Sequence, residues 1–373
     1  MFIFVRNSFF CIIALIVFST CKNDLKITAP YKEIPSVFAI ITPQEPIQMI
    51  RINKVFLGQG NANVMAKVVD SVNYQPGDLT VMLERFVNGS KTYAAYNGNK
   101  TEVYFHDSII QTVEGAFATT QRVYVSSDKL YSSGDYKLTI TNNHTKNVFT
   151  ATTTAMDSVP LTGLPPFAAP FSPVAYNPSN PPSYYVDYSN VTTSNPYIVR
   201  TKPSSGGFLH DLTIRVRYYD SINVAPYKID NTLEYVFNPQ QLSALQPFST
   251  GNYFNFNFTG SDLFYEYGNI LATRTDPPGF VGRKAYRVDF ICYAATQDYY
   301  NFLQFAAPSL SFSQQKILYS NFDNKAALGL FTFRTRCLIK KDMSTTFISE
   351  FAYNVNTCRF RFFRSDLGLP GCQ

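Results

Sequence analysis

Short strand-like segments separated by turn residues recur along almost the whole chain, and they constrain its fold more than any other feature. The segments are rich in Val, Ile, Thr, Tyr and Phe, and clusters of Gly, Asn, Asp, Ser and Pro lie between them. The segment "LTIRVRYY" alternates apolar residues with Arg215 and Arg217, which indicates a strand with one solvent-facing side. The sequence therefore predicts an all-β protein with a few short helices.

The strand pattern divides into two regions. In the first region, Tyr136 precedes the alternating strand that contains Leu138, and this pattern resembles the tyrosine corner of Ig-like sandwiches. Residues 158–184 are rich in proline, which cannot donate to a strand ladder, so they predict a linker or a long surface loop. We therefore predict an N-terminal Ig-like β-sandwich at residues 34–157 and a C-terminal β-rich domain, sandwich-like or barrel-like, at residues 158–373.

Three short helices are predicted in the C-terminal region. One begins with Asn238 as N-cap and Pro239 as first helical residue, and "TGSDLFYEYGNIL" predicts a second. Thr296 caps the third, "TQDYYNFLQFA". The later segments "FISEFAYNV" and "CRFRFF" predict strands, and in the second of these Phe360 and Phe362 would point inward.

The N-terminus has the architecture of a signal peptide. Arg6 precedes an apolar run that is shorter than the roughly 20 residues of a membrane-spanning helix. The run ends in "VFSTC", which resembles the bacterial lipobox, whose cysteine is diacylated and becomes the mature N-terminus. We therefore predict a lipoprotein signal peptide at residues 1–20, lipidation of Cys21 and a tether at residues 21–33. The alternative is an ordinary secretory signal in which Cys21 is an incidental thiol.

Two further sequence signals concern the cell envelope. Lys22 and Asp24 resemble the lysine and acidic residues that follow the cysteine of surface-exposed Bacteroidota lipoproteins. We therefore predict the outer membrane, with the cell surface favoured over the periplasmic face. Four Asp-Ser-aliphatic tripeptides fit the pattern that Bacteroidota O-glycosylate, although Asp-Ser is also common in turns. The candidate acceptors are Ser71, Ser108, Ser158 and Ser221.

Four cysteines remain beyond Cys21. They are Cys292, Cys337, Cys358 and Cys372. In an oxidising compartment four thiols permit two disulfides in three connectivities, and buried free thiols are the alternative. The segment between Cys358 and Cys372 contains turn residues that could close a short loop, so we predict that pair. The cysteine spacings do not resemble a zinc site.

The sequence contains none of the common catalytic or cofactor-binding motifs. It has no GxSxG, no HExxH and no glycine-rich phosphate loop. His210 and Asp211 are adjacent, so they would point to opposite faces of a strand. The net charge of +6 is spread along the chain, and "RFRFFR" is more typical of a strand with one wet face than of a nucleic-acid site. We predict no enzyme, no cofactor, no metal and no nucleic-acid partner.

The C-terminal run "YSNFDNKAALGLF", from Tyr319 to Phe331, resembles the signature of the DUF4249-like group of uncharacterised Bacteroidota outer-membrane lipoproteins. The segment "YKEIPSVFAIITPQEPIQMIRINKVFLGQGNA" is similar to the first strands of that group, so the resemblance covers most of the mature chain. Here "KAA" follows Asn324 in place of the usual glycine, and the usual serines after Phe331 are absent. The resemblance implies an envelope lipoprotein, often encoded beside TonB-dependent receptors, without an established activity.

Together these features predict a non-catalytic protein held in the outer membrane by an N-terminal lipid. It would bind a ligand or partner, most directly as an accessory to a TonB-dependent transporter. One alternative is a surface adhesin or structural module. Another is a hydrolase with an unrecognised site, which clustering of His210, Asp211 or other polar side chains in one deep pocket would favour.

Overall fold

The computed structural model describes most of the chain from residue 34 onward. The described residues are 34–55, 64, 67–93, 95–111, 120–156, 185–191, 196–248, 251–306, 318–323, 326–364 and 366. Strands dominate these residues, which also contain three helices longer than one turn, so the all-β prediction is confirmed. The described helices include none that is both long and apolar enough to cross a membrane. The predicted signal peptide, Cys21, the tether, Ser158 and Cys372 lie outside the described residues.

The described residues of the N-terminal region form short strands and, among other turns, the helical turn Val69–Val72. The strands are β1 (Pro35–Ile41), β2 (Gln48–Lys54), β3 (Leu79–Val87), β4 (Ser90–Lys91), β5 (Asn99–Lys100), β6 (Glu102–Gln111), β7 (Thr120–Ser126), β8 (Lys129–Leu130), β9 (Asp135–Asn142) and β10 (Val148–Thr154).

The C-terminal region adds longer strands and the helices. Its elements are β11 (Tyr185–Val186), β12 (Tyr197–Thr201), β13 (Leu209–Ile222), β14 (Lys228–Val236), β15 (Gln240–Gln241), β16 (Gln246–Phe248), β17 (Gly251–Phe258), α1 (Gly260–Ala272), β18 (Phe280–Ala295), α2 (Gln297–Ala306), β19 (Leu328–Met343) and α3 (Thr345–Tyr353). Single 3₁₀ turns form at Leu242–Ala244 and Cys358–Phe360.

One large sheet has the strand order β10-β9-β3-β6-β7-β2-β1-β19-β18-β13-β14. Strand β6 changes partner along its length, because Glu102 to Phe105 pair with β3 whereas His106 to Gln111 pair with β7. Tyr136 of β9 and Phe333 of β19 lie far apart in this order, yet their ring centroids are 4.7 Å apart. The sheet therefore folds over at β6, and its two layers enclose one hydrophobic core.

The predicted tyrosine corner is present. The hydroxyl of Tyr136 accepts a hydrogen bond from the backbone N–H of Tyr131 and donates one to the carbonyl of Tyr131, each at 3.0 Å. Tyr136 is fully buried. The corner therefore anchors the start of β9 to the turn before it, as it does in Ig-like sandwiches.

Strand β19 belongs to both regions of the molecule. Its first part, Leu328 to Phe333, pairs in parallel with β1, and its second part, Arg334 to Asp342, pairs antiparallel with β18. Phe322 and Phe331 from the C-terminal sequence therefore complete the N-terminal core. The predicted boundaries at 34–157 and 158–373 stay a prediction.

A second hydrophobic core lies on the inner face of the sheet β14-β13-β18-β19. Aromatic rings from α1, α3 and β17 pack into it, including Phe254, Phe264 and Phe351. On the outer face, Arg215 pairs with Glu234 at 2.7 Å, and Arg217 pairs with Asp289. The two arginines are only partly buried, so the predicted wet face of this strand is confirmed.

Two of the predicted helices are confirmed. Thr259 caps α1 and forms a capping box with Asp262. Thr296 precedes α2 and accepts a hydrogen bond from the N–H of Tyr299 at 3.4 Å. The helix predicted after Asn238 is wrong, because that segment forms β15 and a 3₁₀ turn.

The two strands predicted near the C-terminus are also wrong. The segment "FISEFAYNV" belongs mainly to helix α3, because Ser344 accepts a hydrogen bond from the N–H of Phe347 and the helix buries Phe347 and Phe351 on one side. In "CRFRFF", residues Cys358–Phe360 form a 3₁₀ turn. The inward direction predicted for Phe362 is nevertheless correct, since that ring is fully buried.

Candidate functional site

A largely apolar concavity lies on the outer face of β1 and β2, and we call it the arginine groove. Its volume is about 600 Å³. The hairpin connection between β1 and β2 contributes to one end, and Arg334 contributes to its wall. The groove is lined by Phe38, Ile40, Thr42, Glu45, Pro46, Ile47, Gln48, Met49, Arg51, Ile110, Val123 and Arg334.

The strand period explains why apolar side chains line this surface. In β1, Val37 and Ala39 point into the core, so Phe38 must point to the other side. In β2, Ile50 is buried in the same way and Met49 points outward. Phe38 is 42% exposed and Met49 is 47% exposed. Each strand thus supplies one apolar face to the core and further apolar side chains to the groove.

Arg334 enters the groove where β19 changes partner from β1 to β18. Its guanidinium lies over the ring of Tyr293, with 3.9 Å between the guanidinium carbon and the ring centroid. Its Nε is buried and has no hydrogen-bond partner among the described residues. Within the described part of the chain, no carboxylate lies within ion-pair distance of Arg334. Arg51, the other arginine of the lining, donates to Asn53.

The other polar side chains of the groove already hold the fold together. Gln48 accepts a hydrogen bond from the N–H of Thr42 and donates to the carbonyl of Thr42, both at 2.9 Å. The carboxylate of Glu45 accepts from Arg336 at 2.7 Å. Arg51 donates from Nε to Asn53 at 2.8 Å, and burial lowers the pKa of its guanidinium.

A second, more polar concavity of about 530 Å³ lies where the two regions meet. It is lined in part by Thr153, Ser205 and Asp298. Asp298 accepts a hydrogen bond from the hydroxyl of Tyr319 at 2.7 Å. Burial, followed by this hydrogen bond, raises the pKa of Tyr319.

The residues of the signature run from Tyr319 to Phe331 serve the fold. Asn321 donates to the carbonyl of Phe331 at 2.7 Å and accepts from the N–H of Phe331 at 2.9 Å. The hydroxyl of Ser320 donates to the carbonyl of Ala327 at 2.5 Å. These contacts attach the loop to the start of β19, so they account for the run without a chemical role.

His210 and Asp211 lie on opposite faces of β13. Nε2 of His210 accepts a hydrogen bond from the N–H of Ser204 at 3.0 Å, and the imidazole stacks on Phe254. Burial lowers the pKa of His210 to about 4. Asp211 accepts from the N–H of Tyr293 at 3.1 Å, and burial raises its pKa to about 6. Neither side chain lines the two concavities described above.

The described candidate modification sites lie on three different elements. Ser71 belongs to the helical turn, and Ser108 and Ser221 are half-buried in β6 and β13. The predicted O-glycosylation of these serines stays a prediction.

The described cysteines are in two states. Cys292 and Cys337 are free thiols, buried and directly opposite each other on β18 and β19. Cys358 takes part in a disulfide. Its partner lies outside the described residues, since the other described cysteines are free, so the pair of Cys358 with Cys372 stays a prediction.

The chain matches no protein-family model and no curated protein sequence. Membership of the DUF4249-like group therefore stays a prediction. Among the described residues, no three His, Cys, Asp or Glu side chains are placed to hold a metal ion.

The sequence did not single out Phe38, Met49 or Arg334, although a signal for the groove was present. The segments "SVFAIITP" and "IQMIRINK" are apolar at positions on both strand faces, whereas a strand with one solvated face alternates cleanly. Helix α2 covers part of the second face of β1, because the ring centroids of Phe302 and Phe38 are 5.6 Å apart, and the rest of that face lines the groove. The role of Arg334 depends on the register between β1 and β19, which the sequence does not show.

Proposed function

We propose that this protein is a non-catalytic, lipid-anchored protein of the outer membrane that binds a ligand or partner as an accessory to a TonB-dependent transporter. The observation that carries this proposal is the arginine groove. It combines exposed apolar side chains with a guanidinium that forms no ion pair among the described residues and whose Nε has no acceptor there. Such a combination of apolar wall and few polar groups is typical of binding sites.

The backbone beneath the groove belongs to hydrogen-bonded strands. Strand β1 is paired on both sides, with β2 and with β19, so the backbone under Phe38 and Ile40 is held by two strand ladders. Sites on paired strands hold their side chains more accurately than sites on loops. A preformed surface of this kind favours binding without rearrangement.

The polar groups of the groove favour binding over catalysis. Gln48 and Glu45 are held by hydrogen bonds within the fold, and Arg336 neutralises the carboxylate of Glu45. A nucleophile paired with a base would need a hydrogen bond between the two side chains. His210 and Asp211, the pair that would have favoured a hydrolase, lie on opposite faces of β13.

The position of the predicted anchor supports a role near the membrane. β1 begins at Pro35, fourteen residues after Cys21. A chain of that length spans at most about 50 Å when fully extended. The groove, which β1 helps to form, would therefore stay within that reach of the lipid surface if Cys21 is acylated.

Crosslinking in intact cells tests the proposal. The protein is crosslinked, purified through the mature chain and analysed for proteins that accompany it in stoichiometric amount. We expect a TonB-dependent outer-membrane barrel as the dominant partner. Recovery of the protein without a stoichiometric partner would contradict the accessory role.

A further inference from the structure

We propose that the arginine groove binds a single-chain amphiphile with one carboxylate, whose apolar chain lies on Phe38 and Met49 and whose carboxylate pairs with Arg334. This inference rests on the proposed function, because it names the ligand class of the same groove. Three observations lead to it: the exposed apolar surface, the state of Arg334 and the volume.

Exposed apolar side chains lie on both neighbouring strands, β1 and β2. Phe38 lies opposite Arg51 in the ladder between β1 and β2, and Met49 precedes Arg51 by two residues on the same face. Ile47 extends this surface onto the hairpin and is 60% exposed. Large patches of exposed apolar side chains mark surfaces that bind another molecule.

Arg334 determines the sign of the ligand charge. The Nε–H of Arg334 is buried and has no acceptor among the described residues, which is unfavourable. The side chain as a whole is only half-buried, so the rest of the guanidinium can reach an acceptor in the groove. The ring of Tyr293, 3.9 Å from the guanidinium carbon, helps to hold the group in place. Carboxylates match the fork of N–H donors of arginine in a bidentate manner.

The neighbouring charges leave Arg334 available. Arg336, two residues further along β19, is engaged by Glu45 at 2.7 Å. Asp211 is close enough for Arg334 to lower its pKa, but it does not form an ion pair with Arg334, and its carboxylate accepts from the N–H of Tyr293. Neither Glu45 nor Asp211 therefore occupies the position beside Arg334 that we assign to the carboxylate of the ligand.

The volume of the groove, about 600 Å³, suits one small amphiphile. Pockets for small ligands have volumes of roughly 300–1,000 Å³. Burial of each methylene contributes about 0.8 kcal/mol, which is about a fourfold gain in affinity. A chain that fits the groove should thus bind more tightly than a shorter chain with the same headgroup.

Calorimetric titration of the complete protein tests the proposal, with dodecanoate as the probe below its micellar concentration. We expect one dodecanoate per chain. We expect octanoate to bind at least tenfold more weakly, because it lacks four methylenes. Dodecyltrimethylammonium, which has the same chain length and the opposite charge, should bind at least tenfold more weakly than dodecanoate.

Variants separate the charge from the apolar surface. Arg334→Gln should weaken dodecanoate binding by ten- to a hundredfold, as expected for one charge-assisted hydrogen-bonded pair. Met49→Glu, at an exposed position, should weaken binding without affecting the fold. Arg359→Gln is the matched control, since it removes an exposed arginine outside the groove and should leave binding unchanged.

Equal affinity for dodecanoate and dodecyltrimethylammonium would overturn the proposal, and so would unchanged binding by both Arg334→Gln and Met49→Glu. Circular dichroism shows whether Arg334→Gln is folded, and Met49→Glu decides the question if it is not. Failure here is distinguishable from failure of the proposed function. A transporter partner in cells without dodecanoate binding refutes only the ligand class, and dodecanoate binding without a partner refutes only the accessory role.

Discussion

At the scale of single residues, two neighbours in β13 show how the alternation of side chains along a strand places adjacent residues in different environments. His210 points to the aromatic core around Phe254, whereas Asp211 points to the opposite side of the sheet. Burial lowers the pKa of His210 to about 4 and raises the pKa of Asp211 to about 6. In both cases burial disfavours the charged form.

The two groups should affect stability in opposite directions as pH changes. Between pH 4 and 6.5 the unfolded chain binds a proton at His210 that the folded protein does not, so His210 lowers the free energy of unfolding as the pH falls. Between pH 3.8 and 6 the folded protein keeps a proton at Asp211 that the unfolded chain has released, so Asp211 lowers this free energy as the pH rises. In the natural protein these effects largely cancel.

Substitution should reveal each contribution. We compare the free energy of unfolding of His210→Gln with that of the natural protein at each pH. We expect this difference to be about 2–3 kcal/mol more favourable to the variant at pH 4.5 than at pH 7.5. Asp211→Asn should show the reverse trend, with its relative gain at pH 7.5. Urea-induced unfolding at the two pH values measures both effects. Parallel pH profiles for His210→Gln and the natural protein would contradict the pKa assigned to His210.

At the scale of elements, β19 depends on a glycine at its start. Gly329 has φ of +112°, a conformation that side chains other than glycine rarely adopt. A Cβ at this position would lie 2.0 Å from the carbonyl oxygen of Val37 in β1. The N–H of Gly329 also donates to the carbonyl of Tyr319 at 2.9 Å, so this residue links the signature loop to β19.

We therefore expect Gly329→Ala to lower the free energy of unfolding by at least about 3 kcal/mol, because it adds a backbone clash to an unfavourable φ. Gly77→Ala is the matched control. Gly77 also has a positive φ, +79°, but a Cβ there meets nothing within 4 Å. Gly77→Ala should lower the free energy of unfolding by about 1 kcal/mol. Equal losses for the two variants, measured by chemical denaturation, would show that the approach to Val37 is not a constraint.

Local sequence signals predicted some elements well and others poorly. The local sequence predicts helices α1 and α2 correctly, because Thr259 and Thr296 provide N-caps. For the segment of helix α3 it predicts a strand, which is wrong. Its Phe347 and Phe351 are four residues apart and fit one helix face, but the short segment is also rich in residues that favour strands. Packing of both rings into the C-terminal core stabilises the helix relative to a strand.

Local sequence patterns predict only part of the arginine groove. The outward direction of Phe38 and Met49 follows from the strand period once Val37 and Ile50 are placed in the core. The position of Arg334 beside them does not follow, because almost 300 residues separate it from β1 and only the strand register brings the two together. Long-range register is not encoded in local sequence patterns.

At the scale of the whole molecule, β19 joins two hydrophobic cores. Its first part packs Phe331 and Phe333 into the N-terminal core, and its second part places Cys337 in the C-terminal core. Loss of either core would remove the partner ladder of one half of this strand. The two regions should therefore unfold together in spite of the proline-rich segment between them.

Single substitutions in the two cores test this coupling. Leu83 is fully buried in the N-terminal core and Leu212 is fully buried in the C-terminal core. Replacement of either leucine by Ala should lower the free energy of unfolding by about 2–5 kcal/mol. We expect both variants to lower the temperature of one calorimetric transition. Two separate transitions, each shifted by only one of the variants, would show that β19 does not couple the cores.

Site-specific photo-crosslinking in intact cells shows whether this protein acts by binding at the arginine groove. A photo-reactive phenylalanine analogue is placed at position 49, in the groove, and separately at position 236, an exposed position on the edge strand β14. We predict a discrete, reproducible crosslinked product from position 49 and none in common with position 236. The same products from both positions, or none from position 49, would contradict the claim.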